Sequence, residues 1–477
     1  MILALRLAFS AAVVITHANV LTMDGRAPRA RCVAIEGERI AAVGLRDSDC
    51  DRRGATVIDA RGATVIPGFN DAHVHFGLIT TLGNAPEIPA LPRERWRDAV
   101  RAAAARMPSG AWVVAKSNEL PMGVSRAHDL DFIEHPVLVV TRHGALFNSR
   151  GEMAAKLDGE VPHGFVAGRL VAAALDVVTW AQRPAAILDA AHRLLAQARQ
   201  DGITSLQLIS DEMPALFEHL RQRGQLSAHV RFVPLGYRLG ENEPYQPTWR
   251  GPAPSWVRVD GIKFFHDDPA QLSRSELADI VRFAVEHKLR VVMHIQGRYA
   301  LRKYLDAVET GTANAPAAAH LFRIDHADEL RADEARRIAR LGMVVCANAT
   351  LIGEWKSEHL GPLKTLSDAG VRLCLGTDYY GGGGRALAPL ESVALAVTHG
   401  GYGTAERISA AQALEAYTLG SAYGEGTERD KGSIEAGKLA DLVLLSADPT
   451  TLPADQIART RVLLTMVAGR VMYRRGL

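Results

Sequence analysis

Apolar and polar positions alternate along residues 12–66, in AVVITHANVLTMDG, RCVAIEGERIAAVG and ATVIDARGATVIPGF. Val and Ile interleave with polar residues at a period of two, the spacing of strands with one buried face. Asp-Gly and Glu-Gly pairs punctuate these runs with tight-turn chemistry. The end of the chain has the same texture, in GSIEAGKLADLVLLSADP and RVLLTMVAGRVMYRRG. Two strand-rich ends bracketing a long middle predict one non-contiguous β-sandwich domain built from residues 1–66 and 431–477.

The middle changes period. Short apolar runs stand at 203–210, 229–237, 257–265, 290–297, 322–328, 343–350 and 372–378. Amphipathic helical patterns such as SRSELADIVRFAVEHKL and DEARRIARLG separate them. With the apolar run before His73 there are eight strands. Eight strands alternating with helices predict an α/β fold, a (β/α)8 TIM barrel over residues 67–430. The gap before residue 203 is too long for one crossover and contains the strand-like AWVVAKSN and HPVLVVTRHGALFNS. It is an insertion after barrel strand 1, at about 77–180. The GGGG run at 381–384 lacks the Lys-Ser/Thr of a phosphate loop and reads as a plain loop.

Composition narrows the function classes. At 477 residues the chain can bury a large core without staples. A net charge of +2 gives no electrostatic case for nucleic acid or an anionic membrane. No apolar stretch reaches the roughly 18–20 residues of a membrane span. MILALRLAFSAAVV has the look of a leader, but Arg6 interrupts it and no clean cleavage site follows. Cys32, Cys50, Cys346 and Cys374 form no CxxC pair, so they are expected to be small buried apolar residues in a reducing, cytoplasmic setting.

Candidate chemistry falls on the strand ends. In PGFNDAHVHF, His73 and His75 follow strand 1. Lys263 lies near the end of strand 4, His294 on strand 5, His326 on strand 6 and Asp378 at the end of strand 8. Barrel active sites form at the carboxyl ends of the strands. In an extended segment residues i and i+2 point to one side, so His73 and His75 can aim at one ion. Alone, each residue has an ordinary structural reading: a core histidine, a salt-bridged lysine, a helix-capping aspartate. Together they point to a metal centre. Asp267 shares a side with Lys263 and is a candidate to support the site. Tyr379, Tyr380, Trp180, Trp249 and Trp355 are candidate pocket aromatics.

The chain resembles the metal-dependent amidohydrolase superfamily, in its branch of YtcJ-like proteins and N-substituted formamide deformylases. PGFNDAHVHF, RHGALFNS, GIKFFHDD, RVVMHIQG, FRIDHAD, LGTD, AVTHGG and KGSIEAGKLADLVLLSADP carry the resemblance over nearly the whole length. It implies that His73, His75 and Asp378 hold one metal and that His294 and His326 hold a second. Lys263, carboxylated by CO2, would bridge the two. Zinc suits such ligands, with Mn, Co or Fe as alternatives. Asp378 would be general base and acid, and His143 would stabilise the oxyanion or hold substrate. His266 stands where relatives usually carry a smaller residue, and the chain is shorter than many of them. Both departures bear on substrate shape.

The resulting expectation is a hydrolase of small-molecule C–N bonds (amide, N-acyl or N-formyl), with a homodimer as the plain expectation for a barrel of this size. An esterase, lactonase or carbamate hydrolase with the same site is one alternative. A binding protein that kept the barrel without turnover is another.

Overall fold

The computed structural model describes residues 12–76, 85–89, 91–117, 119–141, 144–155, 165–166, 184–209, 214–234, 256–268, 272–355, 361–379, 387–399 and 404–476. The leader-like segment before residue 12 lies outside them.

Short strands come first: β1 (Val13–Thr16), β2 (Asn19–Leu21), β3 (Arg29–Ala30), β4 (Cys32–Glu36), β5 (Arg39–Gly44), β6 (Thr56–Asp59) and β7 (Thr64–Pro67). Then comes β8 (Phe69–Val74). The following segment holds β9 (Glu87–Ile88), β10 (Val113–Ser117), β11 (Val137–Thr141), β12 (Gly144–Phe147) and β13 (Phe165–Val166). Next are β14 (Ile203–Ile209), β15 (His229–Val233), β16 (Val257–Val259), β17 (Ile262–Phe265), β18 (Val291–Ile295), β19 (Phe322–His326), β20 (Val344–Ala347) and β21 (Arg372–Leu375). The chain closes with β22 (Leu442–Leu445), β23 (Val462–Val467) and β24 (Arg470–Arg474).

Strands from the two ends share one sheet, ordered β24-β23-β22-β7-β2-β3. β7 and β22 pair antiparallel, with Val65 opposite Leu444. A second sheet, β5-β4-β1-β6, contributes Ile15, Val33 and Ile35 to a buried cluster that also takes Val65, Leu442 and Leu464. The alternation seen in the sequence thus has its buried partner from the far end of the chain.

β8 and β14 to β21 pair only in parallel. β8, β14, β15 and β16 make one sheet, and β17 to β21 make another in chain order. The single run expected at 257–265 is split at Gly261, whose φ is 95°. A Cβ there would lie 3.0 Å from the Arg290 carbonyl oxygen, so the backbone crosses at glycine and hands pairing from β15 to β18. A parallel bridge between Val74 and Tyr379 links the ends of β8 and β21.

Period-two alternation decides which side chains are free for chemistry. Val291, Met293 and Ile295 of β18 enter the large core with Leu277, Val281, Leu301 and Leu305 of the flanking helices. Ile262, Phe264, Phe322 and Ile324 do the same on β17 and β19. The intervening Lys263, His294, Arg323 and Asp325 are left for the other face. Helix Arg274–His287 starts at a capping box, with Ser273 Oγ accepting from Glu276 N at 3.2 Å and Glu276 Oε2 accepting from Ser273 N at 2.7 Å.

The segment after β8 is more than a loop. Its sheet runs β13-β12-β11-β10-β9, and helix Arg93–Ala104 lays Trp96 and Val100 onto it. Leu130, Val137 and Val139 complete a separate buried cluster.

The cysteine expectation needs correcting. Cys32 and Cys50 are joined by a disulfide, while Cys346 and Cys374 are free and buried. Residues 47–50 form a short 3-10 turn that brings Cys50 back to the start of β4, with the two Cα atoms 6.0 Å apart. The inference of a reducing compartment loses the support of that pair. Among the described residues no helix is long and apolar enough to cross a membrane.

Candidate metal centre

Three donor atoms converge where β8 ends beside β21. His73 Nε2 lies 3.1 Å from His75 Nε2. Asp378 Oδ1 lies 3.0 Å from His75 Nε2 and 3.5 Å from His73 Nε2. The backbone fixes this meeting, since Asp378 N donates to His73 O at 2.8 Å and His75 N donates to Tyr379 O at 2.9 Å. Asp378 takes a left-handed φ of 52°, a strained turn for a non-glycine residue.

Two residues that the sequence did not single out hold these strand ends together. The Asp71 carboxylate accepts from Thr377 N at 2.9 Å, Thr377 Oγ1 at 2.7 Å and His73 N at 3.3 Å. Burial pushes its carboxyl up to about 7. Gly376 is the other. A Cβ built on it would meet His73 N at 2.6 Å and His73 Cβ at 2.8 Å.

The other expected ligands lie close by. The rings of His294 and His326 are 4.3 Å apart between centroids, and those of His326 and His73 are 5.2 Å apart. His326 and Ala327 have φ values of 74° and 54°, so the chain leaves strand geometry at the histidine itself. His294 Nε2 lies 3.2 Å from Asp267 Oδ2, and Asp267 Oδ1 accepts from Gln296 N at 2.8 Å. Lys263 Nζ, fully buried, lies 2.6 Å from Asp325 Oδ2. No second group of three His, Cys, Asp or Glu donors forms around His294 and His326 among the described residues.

Asp325 is the hub beneath this layer. Besides Lys263 it takes Arg323 Nε at 2.6 Å, and His73 Nδ1 lies 2.9 Å from its Oδ2. Burial alone would raise its carboxyl, but Arg323 and Lys263 hold it well below the usual range. Burial lowers Lys263 in turn, with Asp325 acting against that. Arg323 and Asp325 stand two apart in FRIDHAD, a charged pair just before His326 on one short strand, and that was the signal in the sequence.

The donor set fits a divalent cation. Burial, with the Lys263 ammonium nearby, pushes the His73 imidazole down to about 3. Burial and His294 push His326 well below its ordinary value. Both shifts favour the neutral ring, the form that keeps a nitrogen lone pair for a cation. The donor atoms of His73, His75 and Asp378 all lie within 4.8 Å of one another. Two imidazoles and a carboxylate at that spacing match zinc-type coordination. His326 Nδ1 is buried without a hydrogen-bond partner among the described residues.

His266 has a structural role. It is fully buried, and its Nδ1 accepts from Leu272 N at 3.2 Å, tying the end of β17 to the residues just before helix Arg274–His287. Tyr379 is half-buried. His143, Tyr380, Trp180 and Trp249, and the side chain of Trp355, lie outside the described residues.

Comparison with known proteins places this geometry in context. The amidohydrolase family profile matches residues 56–473. The chain is 26% identical to N-substituted formamide deformylase of Arthrobacter pascens, over 97% of this chain and 98% of that protein. It is 23% identical to the YtcJ protein of Bacillus subtilis strain 168, over 96% of this chain and 98% of that one. An uncharacterized metal-dependent hydrolase of Pyrococcus furiosus superposes with a TM-score of 0.68 at 21% identity, over 92% of this chain and all of that one.

Proposed function

Because the chain belongs to the amidohydrolase family, we propose that it is a metal-dependent hydrolase that cleaves a C–N bond of a small molecule. The bond is an amide, N-acyl or N-formyl group. The observation that carries this reading is the convergence of His73 Nε2, His75 Nε2 and Asp378 Oδ1. The likeness to a formamide deformylase along nearly the whole length supports the bond type.

We read the parallel strands as a closed (β/α)8 barrel over residues 67–430, with the insertion at about 77–180. The strands of 1–66 and 431–477 form the small β-sandwich. In this reading His73, His75 and Asp378 hold one zinc-like ion. His294 and His326 would hold a second, and a carboxylated Lys263 would serve as a ligand common to both. A carbamate on Lys263 retains one N–H at Nζ, which suits the neighbouring Asp325 carboxylate.

A divalent ion at this place supplies Lewis acidity toward a carbonyl oxygen and acidifies water at neutral pH. Asp378 accepts the proton of the attacking water at its carboxylate and returns it to the leaving nitrogen. Asp267 holds His294 through Nε2 and so orients that ring. Asp71 holds the two ligand-bearing strand ends in register. His143, on the insertion, contributes to oxyanion stabilisation or substrate holding.

The test is metal content per chain, measured on wild type and on Lys263→Ala, together with turnover of an amide panel before and after chelation. Near two ions in wild type with loss in the variant supports the bridged pair. Near one ion in both restricts the centre to His73, His75 and Asp378. No metal, or turnover indifferent to chelation, overturns the hydrolase reading.

A further inference from the structure

We propose that Arg323 and Asp325 form a buried positioning pair that sets the tautomer and orientation of His73. The inference rests on the reading of His73 as a metal ligand. It concerns what makes that ring able to serve as one.

A neutral imidazole has one N–H and one lone pair, and only the lone-pair nitrogen can bind a cation. In His73 the Nε2 side faces His75 and Asp378, and the Nδ1 side faces Asp325. A carboxylate 2.9 Å from Nδ1 favours the proton there, which leaves Nε2 bare on the side of the other two donors. The contact is close without being aligned as a full hydrogen bond, so the charge and placement of Asp325 matter more than one ideal angle.

Arg323 fixes that placement. Its Nε donates to Asp325 Oδ1 at 2.6 Å, its Nη1 to Gln207 Oε1 at 2.6 Å and its Nη2 to Ala72 O at 2.7 Å. Ala72 immediately precedes His73. One guanidinium therefore grips both the carboxylate that faces the ring and the backbone that carries the ring. All of these groups are buried. With Lys263 Nζ 2.6 Å from its other oxygen, Asp325 is held on both sides. A lysine at 323 would keep the charge but could not span three acceptors in a fixed fork.

The decisive measurement is the protonation pattern of His73 in metal-free protein carrying 15N-labelled histidine, with its signals assigned by their loss in His73→Gln. The expected result is the Nδ1–H tautomer in wild type. A dominant Nε2–H form overturns the proposal. Zinc affinity by chelator competition gives the second readout. Arg323→Met and Asp325→Asn should each bind zinc about ten- to a hundredfold more weakly, with Arg323→Lys recovering only part of the loss. Wild-type affinity in all three variants also overturns it. Should a variant fail to fold, the wild-type tautomer decides alone. A wild type that takes up no zinc sinks the hydrolase reading, and the metal-free tautomer still decides the pairing.

Discussion

Gly376 lies so close to His73 that a methyl group on it would sit 2.6 Å from the His73 backbone nitrogen. The nearest atoms are backbone and Cβ, which cannot swing aside as a long side chain would. A hydrogen in place of a side chain is thus what lets the end of β21 lie against the end of β8. Gly376→Ala should displace His73 relative to Asp378 and lower kcat/KM on an amide substrate about 10- to 100-fold. Steady-state kinetics with metal analysis of the same sample checks this. An alanine variant with wild-type kinetics would show that the strand ends can part without cost.

Asp71 makes the complementary contact, through three hydrogen bonds to Thr377 and His73. Asp71→Ala leaves the buried Thr377 N–H and hydroxyl without that acceptor. Each such loss costs about 1–3 kcal/mol. The expected result is a lower melting temperature together with weaker metal retention. Normal retention at a lower melting temperature would assign Asp71 to stability alone.

A buried acid beside the start of β8 contributes to the low-pH limit. Glu425 Oε1 lies 2.5 Å from Lys431 Nζ and accepts from Asn70 Nδ2 at 2.9 Å. Burial pushes this carboxyl up, but Lys431 and Arg231 outweigh it and hold it at about 2, against 4.5 unfolded. A folded value below the unfolded one gives stability that is complete above 4.5 and lost as pH falls towards 2. The difference corresponds to about 3 kcal/mol as an upper bound. Denaturation midpoints across that window should fall in wild type. Glu425→Gln should be less stable at neutral pH and flatter in acid. An equal acid slope in both would remove Glu425 from the account.

The Cys32–Cys50 bond predicts a simple count. Thiol titration of the denatured, unreduced chain should find two reactive groups of the four cysteines. Reduction should destabilise the fold by about 3 kcal/mol, the loop-closure value for cysteines 18 residues apart. Four titratable thiols in unreduced protein would contradict the bond.

What the sequence revealed depended on how local the signal was. The eight parallel strand positions could be read because each is an apolar run bounded by turns. His73 and His75 could be read as a pair because a spacing of two fixes their common side. The split at Gly261 was not legible, since it depends on the Arg290 carbonyl passing close by. Asp71, Gly376 and the grip of Arg323 on the Ala72 carbonyl escaped for the same reason. Their partners lie roughly 250 to 300 residues away along the chain. Asp325 was visible in FRIDHAD but overshadowed by the histidine beside it. The disulfide was missed because its spacing matches no motif and its geometry comes from a turn.

The pairing of β7 with β22 has a consequence for how the protein is made. During synthesis the first strands leave the ribosome some 375 residues before their partner in the shared sheet exists. Until then β7 is an unpaired apolar edge, a template for mispairing between nascent chains. Closing that sheet is a late event with a large loop to span, and it waits for the last stretch of the message. A chain cut short before residue 442 would be left with that edge open, so premature termination should yield aggregates that chaperones must clear.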